Sequence, residues 1–556
     1  MAGLCSRAAL VAGFGVCENC WHTRSGKSGD CAGAVAWDAV VAAKANMSTT
    51  AKVISRKAVA SRKQGPSGAA AGWPLIAAVL LALFYAASSL YIASNRLFWF
   101  DELFTIYIAR LPHLSTIWAA LGNGVDALPP TYYMLVRACD SLFGPSEIAA
   151  RLPCAIAMAA GLLVIFDCAR RLTNGIYALI AALVAACSFL PYYGYEARSY
   201  ALYFLLSALA LWVWAYEGFS QRVQAALFGA VFFAGVCVHY YFPMCLAPYF
   251  AWELLQWKPG KRPSAKLIGG IVGSILPLLL LSPLILSFSR KFGGGYWNRP
   301  VLGELRAIYA QLFPDGLLLL ALIMLWIALV RTDSSDTQES LVPRMPETEA
   351  IGWLFLAVPI AAYAVAVLKT NAFYSRYYIG VVPPVGVAFA SSLWRHWRRS
   401  TQVGAGVVVL LAGWGIGMQA VVMQHPDKVE ATGIRPFLQI ESLPEVEGKR
   451  YFVIAEPLFF LEAQQYAQHP DQVVLLLASD FSQHPKPGPD PYLHQRLEAN
   501  LSQYHPLQIW TIDDLRRHRE QAALIAPDEQ ALRDVRQAGM QARLRLSRPL
   551  NIYYLQ

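Results

Sequence analysis

The stretch FWFDELFTIYIAR, residues 98–110, sets two adjacent carboxylates, Asp101 and Glu102, among aromatic and aliphatic side chains just past a long apolar run. Carboxylates beside a bilayer are costly unless they are solvated, paired or used. Taken alone, the pair would mark only where a first span leaves the membrane. The loop around it, from about 94 to 146, is far longer than a plain connector. It contains two amphipathic stretches, LSTIWAAL (114–121) and PTYYMLVRACDSLF (130–143), of the kind that lies in the interface plane. The loop therefore reads as a platform holding a carboxylate at headgroup level. Asp126 and the turn Pro129-Pro130-Thr131-Tyr132-Tyr133 belong to the same platform.

The rest of the chain supports a membrane setting. Of 556 residues, 56% are hydrophobic and 15% charged, against about 25% charged in soluble domains. The 16 Trp and 27 Tyr suit aromatic belts at the two interfaces. A formal charge of +10 does not indicate a nucleic-acid partner, because the Lys and Arg fall in short runs between apolar segments.

Apolar segments of roughly 17–25 residues can cross a bilayer, and the sequence offers about eleven. They lie near 74–93, 147–168, 175–192, 199–216, 223–240, 242–257, 267–288, 308–330, 351–369, 377–394 and 402–423. Lys and Arg in short loops mark the cytoplasmic side. Arg56, Lys57, Arg62 and Lys63 precede the first span. Strict alternation then places Arg170 and Arg171, Arg222, Lys258 to Lys266, Arg331 and Arg344, and Arg395 to Arg399 on that same side. The opposite face collects the Asp101–Glu102 loop, PYYGYEARSY (191–200), HYYFP (239–243), SRKFGGGYWNR (289–299) and KTNAFYSRYY (369–378). Function is expected there.

Residues 1–72 mix Gly, Ala, Ser, Lys and Arg without periodicity and are expected to be a disordered cytoplasmic extension or to precede a true start at Met47. Cys17-x-x-Cys20 with His22 is an incomplete four-ligand set, so no metal site is assigned. Residues 73–424 form the expected membrane region. Beyond 424 the apolar runs stop, and YFVIA (451–455), VVLLLA (473–478), LQIWTI (507–512) and ALIA (523–526) alternate with polar helical stretches such as DDLRRHREQ (513–521). Residues 425–556 are thus expected to be a small α/β domain outside the cytoplasm.

The ordered series DELFTIYIARL, DALPPTYYMLVR, SEIAARLPCAIA and YYGYEARSYAL resembles the family 39-like polyprenyl-phosphate glycosyltransferases of the GT-C fold. That family includes the protein O-mannosyltransferases and lipid A aminoarabinose transferases. The resemblance covers roughly residues 74–400 and implies a polytopic helical fold. It also implies a catalytic aspartate in the first outer loop, here Asp101, with Glu102 as its orienting or acceptor-binding partner. Relatives often place a polar residue before the Pro pair, where this chain has Leu128.

A lipid-linked sugar phosphate carries its own leaving group. The enzyme must supply a base for the acceptor hydroxyl and cations for the departing phosphate. Asp101 suits the first role, and desolvation by Trp99 and Phe100 together with repulsion from Glu102 is expected to raise its pKa. Arg198 and Arg376, at outer span ends, suit phosphate, as do Lys291 and Arg299 around Gly293-Gly294-Gly295. Asp126, Tyr132, Glu196, His239, Tyr240 and Tyr377 complete the candidate substrate contacts. A divalent cation stays open, since no ligand set stands out. The expected partners are a polyprenyl-phosphate sugar donor, a lipid, glycan or protein acceptor, and the bilayer, in a bacterial inner membrane with the site on the extracytoplasmic face. The competing class is a transporter or flippase for lipid-linked saccharides. Transporters bury ionisable groups at mid-membrane, whereas Asp167 and Glu253 fall near cytoplasmic span ends.

Overall fold

The computed structural model describes residues 72–260, 262–292, 300–314, 316–330, 345–370, 373–397, 399–426, 440–481, 492–525, 528–547 and 551–556. The expectations for residues 1–71, including Met47 and the first four cysteines, lie outside the described residues, as do Gly293 to Gly295 and Arg299.

The chain is built mainly from helices. The first, α1 (Trp73–Asn95), ends at Arg96, which turns extended. Three shorter helices then form the first loop: α2 (Phe100–Ala109), α3 (Leu114–Gly122) and α4 (Thr131–Phe143). The two amphipathic stretches of the platform are α3 and α4. Helix α5 (Glu147–Leu172) follows, N-capped by the Ser146 hydroxyl, and packs between α1 and α7 (Tyr200–Ala215). Between them comes α6 (Gly175–Ala186).

Helix α8 (Gln221–Val238) lies against α10 (Ala265–Leu280), with α9 (Ala247–Leu255) intervening in sequence. The α8–α10 approach is close because both helices present glycine. A Cβ on Gly269 would meet the Ala225 carbonyl at 2.3 Å, and one on Gly273 the Gly229 carbonyl at 2.1 Å. Such small-residue faces let membrane helices associate by van der Waals contact.

Then come α11 (Ser282–Phe292), α12 (Leu302–Leu312) and α13 (Leu317–Val330). Two long helical segments, α14 (Glu347–Leu368) and α15 (Ser375–His396), precede α16 (Thr401–Gln424).

Among the described residues six helices are long and apolar enough to cross a membrane: α1, α5, α8, α14, α15 and α16. The number rises to eight if α10 with α11, bent by 64°, and α12 with α13, bent by 90°, each count as one span. Proline accounts for both breaks. Pro277 and Pro283 flank the first, and Pro314, with Gly316 at φ +87°, interrupts the second. Three of the eleven expected spans come out shorter. The segment at 175–192 yields the 12-residue α6 and that at 199–216 the 16-residue α7. The segment at 242–257 is a 3-10 turn (Phe242–Leu246) followed by the nine-residue α9. Helix α6 is buried along nearly its whole length, so protein surrounds it.

The C-terminal stretch forms a six-stranded sheet in the order β3-β2-β1-β4-β6-β5. Strands β1 (Tyr451–Ile454), β2 (Val473–Leu476), β3 (Gln508–Trp510) and β4 (Ala522–Ile525) are parallel, with Phe452 beside Val473 and Ala523. They are the four β-prone runs of the sequence. Strands β2 and β4 are buried residue by residue, as helix-covered parallel strands are. The antiparallel β5 (Ala542–Leu546) and β6 (Ile552–Leu555) were not anticipated. Helices α17 (Pro457–Tyr466), α18 (Leu493–Leu501), α19 (Ile512–Arg517) and α20 (Glu529–Gln537) fill the connections.

This layer is tied to the first loop. The Phe98 backbone N–H donates to the Tyr466 hydroxyl at 2.9 Å, and the Asn123 amide bonds the Tyr504 hydroxyl. Asn500 reaches the Gly124 carbonyl at 3.4 Å, and the His505 ring meets the Tyr107 carbonyl at 2.9 Å.

Candidate active site

Arg151, the fifth residue of α5, organises the acidic loop. Its guanidinium is fully buried, and each of its five N–H donors has a matching acceptor. Nε and one Nη2 donor hold the two oxygens of Glu102, both at 2.7 Å. The remaining donors reach the carbonyls of Ala93, Arg96 and Leu97 at 2.7–2.8 Å. One side chain thus satisfies the frayed end of α1 and fixes the start of α2.

Glu102 accepts further hydrogen bonds from the backbone N–H of Ala197, at 2.5 Å, and of Trp99, at 3.3 Å. The Arg96 guanidinium lies 4.0 Å away. With 0% side-chain exposure and this set of partners, Glu102 faces the protein interior. The acceptor contact expected of it does not fit this geometry; it joins the first loop, α5 and the EARSY turn.

Asp101, one residue earlier, points the other way. Its Oδ2 accepts from Arg376 Nη1 at 2.5 Å, and the two side chains keep 17% and 14% exposure. Arg376 comes from the first turn of α15 and lies over the rings of Tyr374 and Tyr200. Burial pushes the Asp101 carboxyl up, but the charges of Arg376 and Arg198 and the hydrogen bond from Arg376 outweigh it. Its pKa is held below the usual carboxylate value. This corrects the raised pKa expected from the sequence, which shows the aromatic neighbours of Asp101 but not the arginine that arrives from residue 376.

Arg198 is anchored beside this pair. Nη1 donates to Asp126 Oδ2 at 2.6 Å, to Thr105 Oγ1 at 3.1 Å and to the Asp101 carbonyl at 3.0 Å. Asp126 also accepts from the Tyr133 hydroxyl at 2.8 Å and the Ala127 N–H at 2.6 Å. Glu196 is buried to 1% exposure, and its Oε2 has no hydrogen-bond partner. Its pKa is pushed up to about 7, by burial first and then by the Glu102 charge, against the pull of Arg96 and Arg376.

The structure therefore gathers Asp101, Asp126, Glu196, Arg198 and Arg376 from turns as far apart in sequence as 101 and 376. His239 stacks with Tyr203 at 5.3 Å and lies 5.3 Å from the ring of Tyr377, which in turn stacks on Tyr241 at 4.5 Å. Tyr240 is half-buried near Asp126.

Two expected contacts are not part of the cluster. Tyr132 is buried with its hydroxyl on the Ala150 carbonyl at 3.0 Å, so it packs α4 on α5. Lys291 donates to the Asn123 carbonyl at 2.8 Å and secures the end of α11 on the platform. Among the described residues, no group of three or more His, Cys, Asp or Glu is arranged to hold a metal ion.

Sequence reasoning passed over Arg151, Arg96 and Thr105. Arg151 had a readable signal, a lone cation in an apolar helix. The others had none.

A buried carboxylate clamp, a half-buried carboxylate–arginine pair and apolar helices around them make this a polytopic membrane protein, and its fold is the GT-C fold. Over residues 127–286 the chain matches the family described as Dolichyl-phosphate-mannose-protein mannosyltransferase. In structure it is similar to ArnT from Cupriavidus metallidurans bound to undecaprenyl phosphate. That match has a TM-score of 0.58 and 13% identity, covering 87% of this chain and 98% of ArnT. The Archaeoglobus fulgidus oligosaccharyltransferase matches more loosely, with a TM-score of 0.39 and 12% identity over 71% of this chain and 62% of its own. No curated protein sequence gives a significant match.

Proposed function

We propose that the protein transfers a sugar from a polyprenyl-phosphate-linked donor to an acceptor hydroxyl on the extracytoplasmic face of a membrane. Residues 73–424 form the membrane-embedded catalytic region, and residues 425–556 lie on the outer side. The observation that carries this reading is the Asp101–Arg376 pair at 2.5 Å, half-buried at the meeting point of the first loop and a span end.

Arg376 is a fork suited to phosphate oxygens, and its Nη1 is paired with Asp101 Oδ2. Donor phosphate competes for Arg376 and leaves the carboxylate free to face the acceptor. Attack of the acceptor oxygen on the anomeric carbon then breaks the carbon–oxygen bond to phosphate, with inversion. Arg376 balances the charge that collects on the leaving phosphate. Arg198, locked by Asp126, positions the backbone of Asp101.

An apolar groove of about 550 Å³, lined by Trp252, Tyr309, Leu325, Trp353 and Ile360 among others, suits an isoprenoid chain. Its Tyr309 belongs to α12, which packs on the segment that carries Arg376.

The test is Asp101→Asn in membranes that retain the protein. Lipid-linked sugar should accumulate, seen by mass spectrometry, while the glycosylated product disappears. Continued transfer removes Asp101 as the base.

A further inference from the structure

The peptide bond between Leu97 and Phe98, shortly ahead of Asp101, is gripped at both edges. Arg151 Nη2 donates to the Leu97 carbonyl at 2.8 Å, and the Phe98 N–H donates to the Tyr466 hydroxyl at 2.9 Å. Because a peptide unit is planar, a partner on each edge fixes its orientation. The Phe98 side chain is buried, and the Arg151 guanidinium carbon lies 4.8 Å from its ring centroid. Tyr466, the last residue of α17, donates in turn to Glu147 Oε1 in the first turn of α5, at 3.2 Å. One phenol thus joins the approach to α2, the start of α5 and the C-terminal layer.

A second tie holds the opposite end of α2. The last four carbonyls of a helix have no partner within it, and Tyr107 carries one of them. His505 Nε2 meets that carbonyl at 2.9 Å, while the two rings sit edge to face with centroids 4.9 Å apart. A carbonyl oxygen only accepts, so Nε2 carries the proton. Between the two ties α17 packs along α2. The Trp99 N–H is taken by Glu102, so the backbone leading into Asp101 is set before any substrate arrives. The Tyr466 hydroxyl and His505 Nε2 both end on the first loop and α5, not on the C-terminal sheet.

We propose that the C-terminal layer braces α2 at both ends, through Tyr466 and His505, and so sets the Asp101 carboxylate against the acceptor hydroxyl. Both are positioning residues that touch neither donor nor acceptor. A displacement of about 1 Å at a reacting group can cost about 100-fold in rate. The brace therefore governs turnover, while phosphate binding by Arg376 does not depend on it. The proposal rests on the glycosyltransferase reading above.

The test uses the full-length protein. Donor consumption per molecule of folded protein is followed by mass spectrometry in native membranes, with their own polyprenyl-phosphate sugars. Undecaprenyl phosphate is the binding probe on the purified protein. Tyr466→Phe removes the hydroxyl and keeps the ring, and His505→Phe removes the N–H donor. Each should slow consumption per folded molecule by about 10- to 100-fold and leave the affinity for undecaprenyl phosphate unchanged. Amide exchange over residues 97–104 should rise in Tyr466→Phe while β1 stays protected. A residue that only stabilises the fold would lower the amount of protein, not the rate per folded molecule. A wild-type rate in either variant overturns the proposal, and so does a loss of probe binding that matches the loss of rate. Asp101→Asn separates the two ideas. Continued consumption there defeats the glycosyltransferase reading, whereas its loss beside unaltered Tyr466→Phe and His505→Phe defeats only the brace. Should neither variant accumulate, amide exchange in the wild-type protein decides. The Phe98 amide must then exchange as slowly as β1, and faster exchange overturns the proposal.

Discussion

Arg151 and Glu102 are buried as a bidentate pair with every donor of the arginine engaged. Breaking such a pair by removing one partner leaves an uncompensated charge and costs about 3–5 kcal/mol. Arg151→Met should therefore depress the thermal unfolding temperature strongly and lower the amount of folded protein in membranes, whatever its effect on chemistry. Glu102→Gln should do the same more mildly, because the amide keeps one acceptor.

Glu196 behaves oppositely with pH. Its folded pKa of about 7 lies above the ordinary carboxyl value, so the carboxyl favours the fold while protonated and works against it as pH rises through 7. Glu196→Gln should gain thermal stability over the wild type at pH 8, by up to about 3 kcal/mol, with the gap closing toward pH 5. An equal gap at both pH values would show that Glu196 is not held protonated. Asp101 and Glu102 have lowered values, so their contribution is present above about pH 4 and fades as pH falls through the folded values.

Among the helices, α8 and α10 meet where no side chain fits between Gly269 and Ala225 or between Gly273 and Gly229. The obstructing atoms are backbone carbonyls, which cannot swing aside as a side chain would. Gly273→Ile should force the pair apart and lower the detergent-solubilised yield of folded protein, whereas the same change at the unobstructed Gly413 should not.

Element type was readable wherever period and length agreed. The helices α3 and α4 and the strands β1 to β4 all fall on the predicted runs. Span length was less readable. The apolar run at 175–192 holds a helix of 12 residues that is buried in protein, and hydropathy does not distinguish a protein neighbour from lipid. Strand β5 reads ARLRL, with its middle residues exposed, and gives no apolar run to notice. Asp101 and Arg376 were legible as candidates because each stands at a span end. The sign of the Asp101 shift was not, since it depends on a contact across 275 residues.

At the scale of the whole molecule, the residues proposed for the active centre arise from the first loop, the EARSY turn and the start of α15. For the proposed function all three must share one side of the membrane. Ser115→Cys, at an exposed position on α3, should react with an impermeant thiol reagent applied from outside. Arg170→Cys, at the exposed opposite end of α5, should not until the membrane is opened. The reverse pattern would overturn the orientation on which the reading rests.

The bonds of Arg151 bear on how the chain is made. Ala93, Arg96 and Leu97 leave the ribosome more than fifty residues before the guanidinium that satisfies them. Until the helix from Glu147 arrives, those carbonyls and the Glu102 carboxylate must be kept wet. The growing protein cannot settle its first hairpin in lipid during synthesis, and the arrival of Arg151 closes the seam.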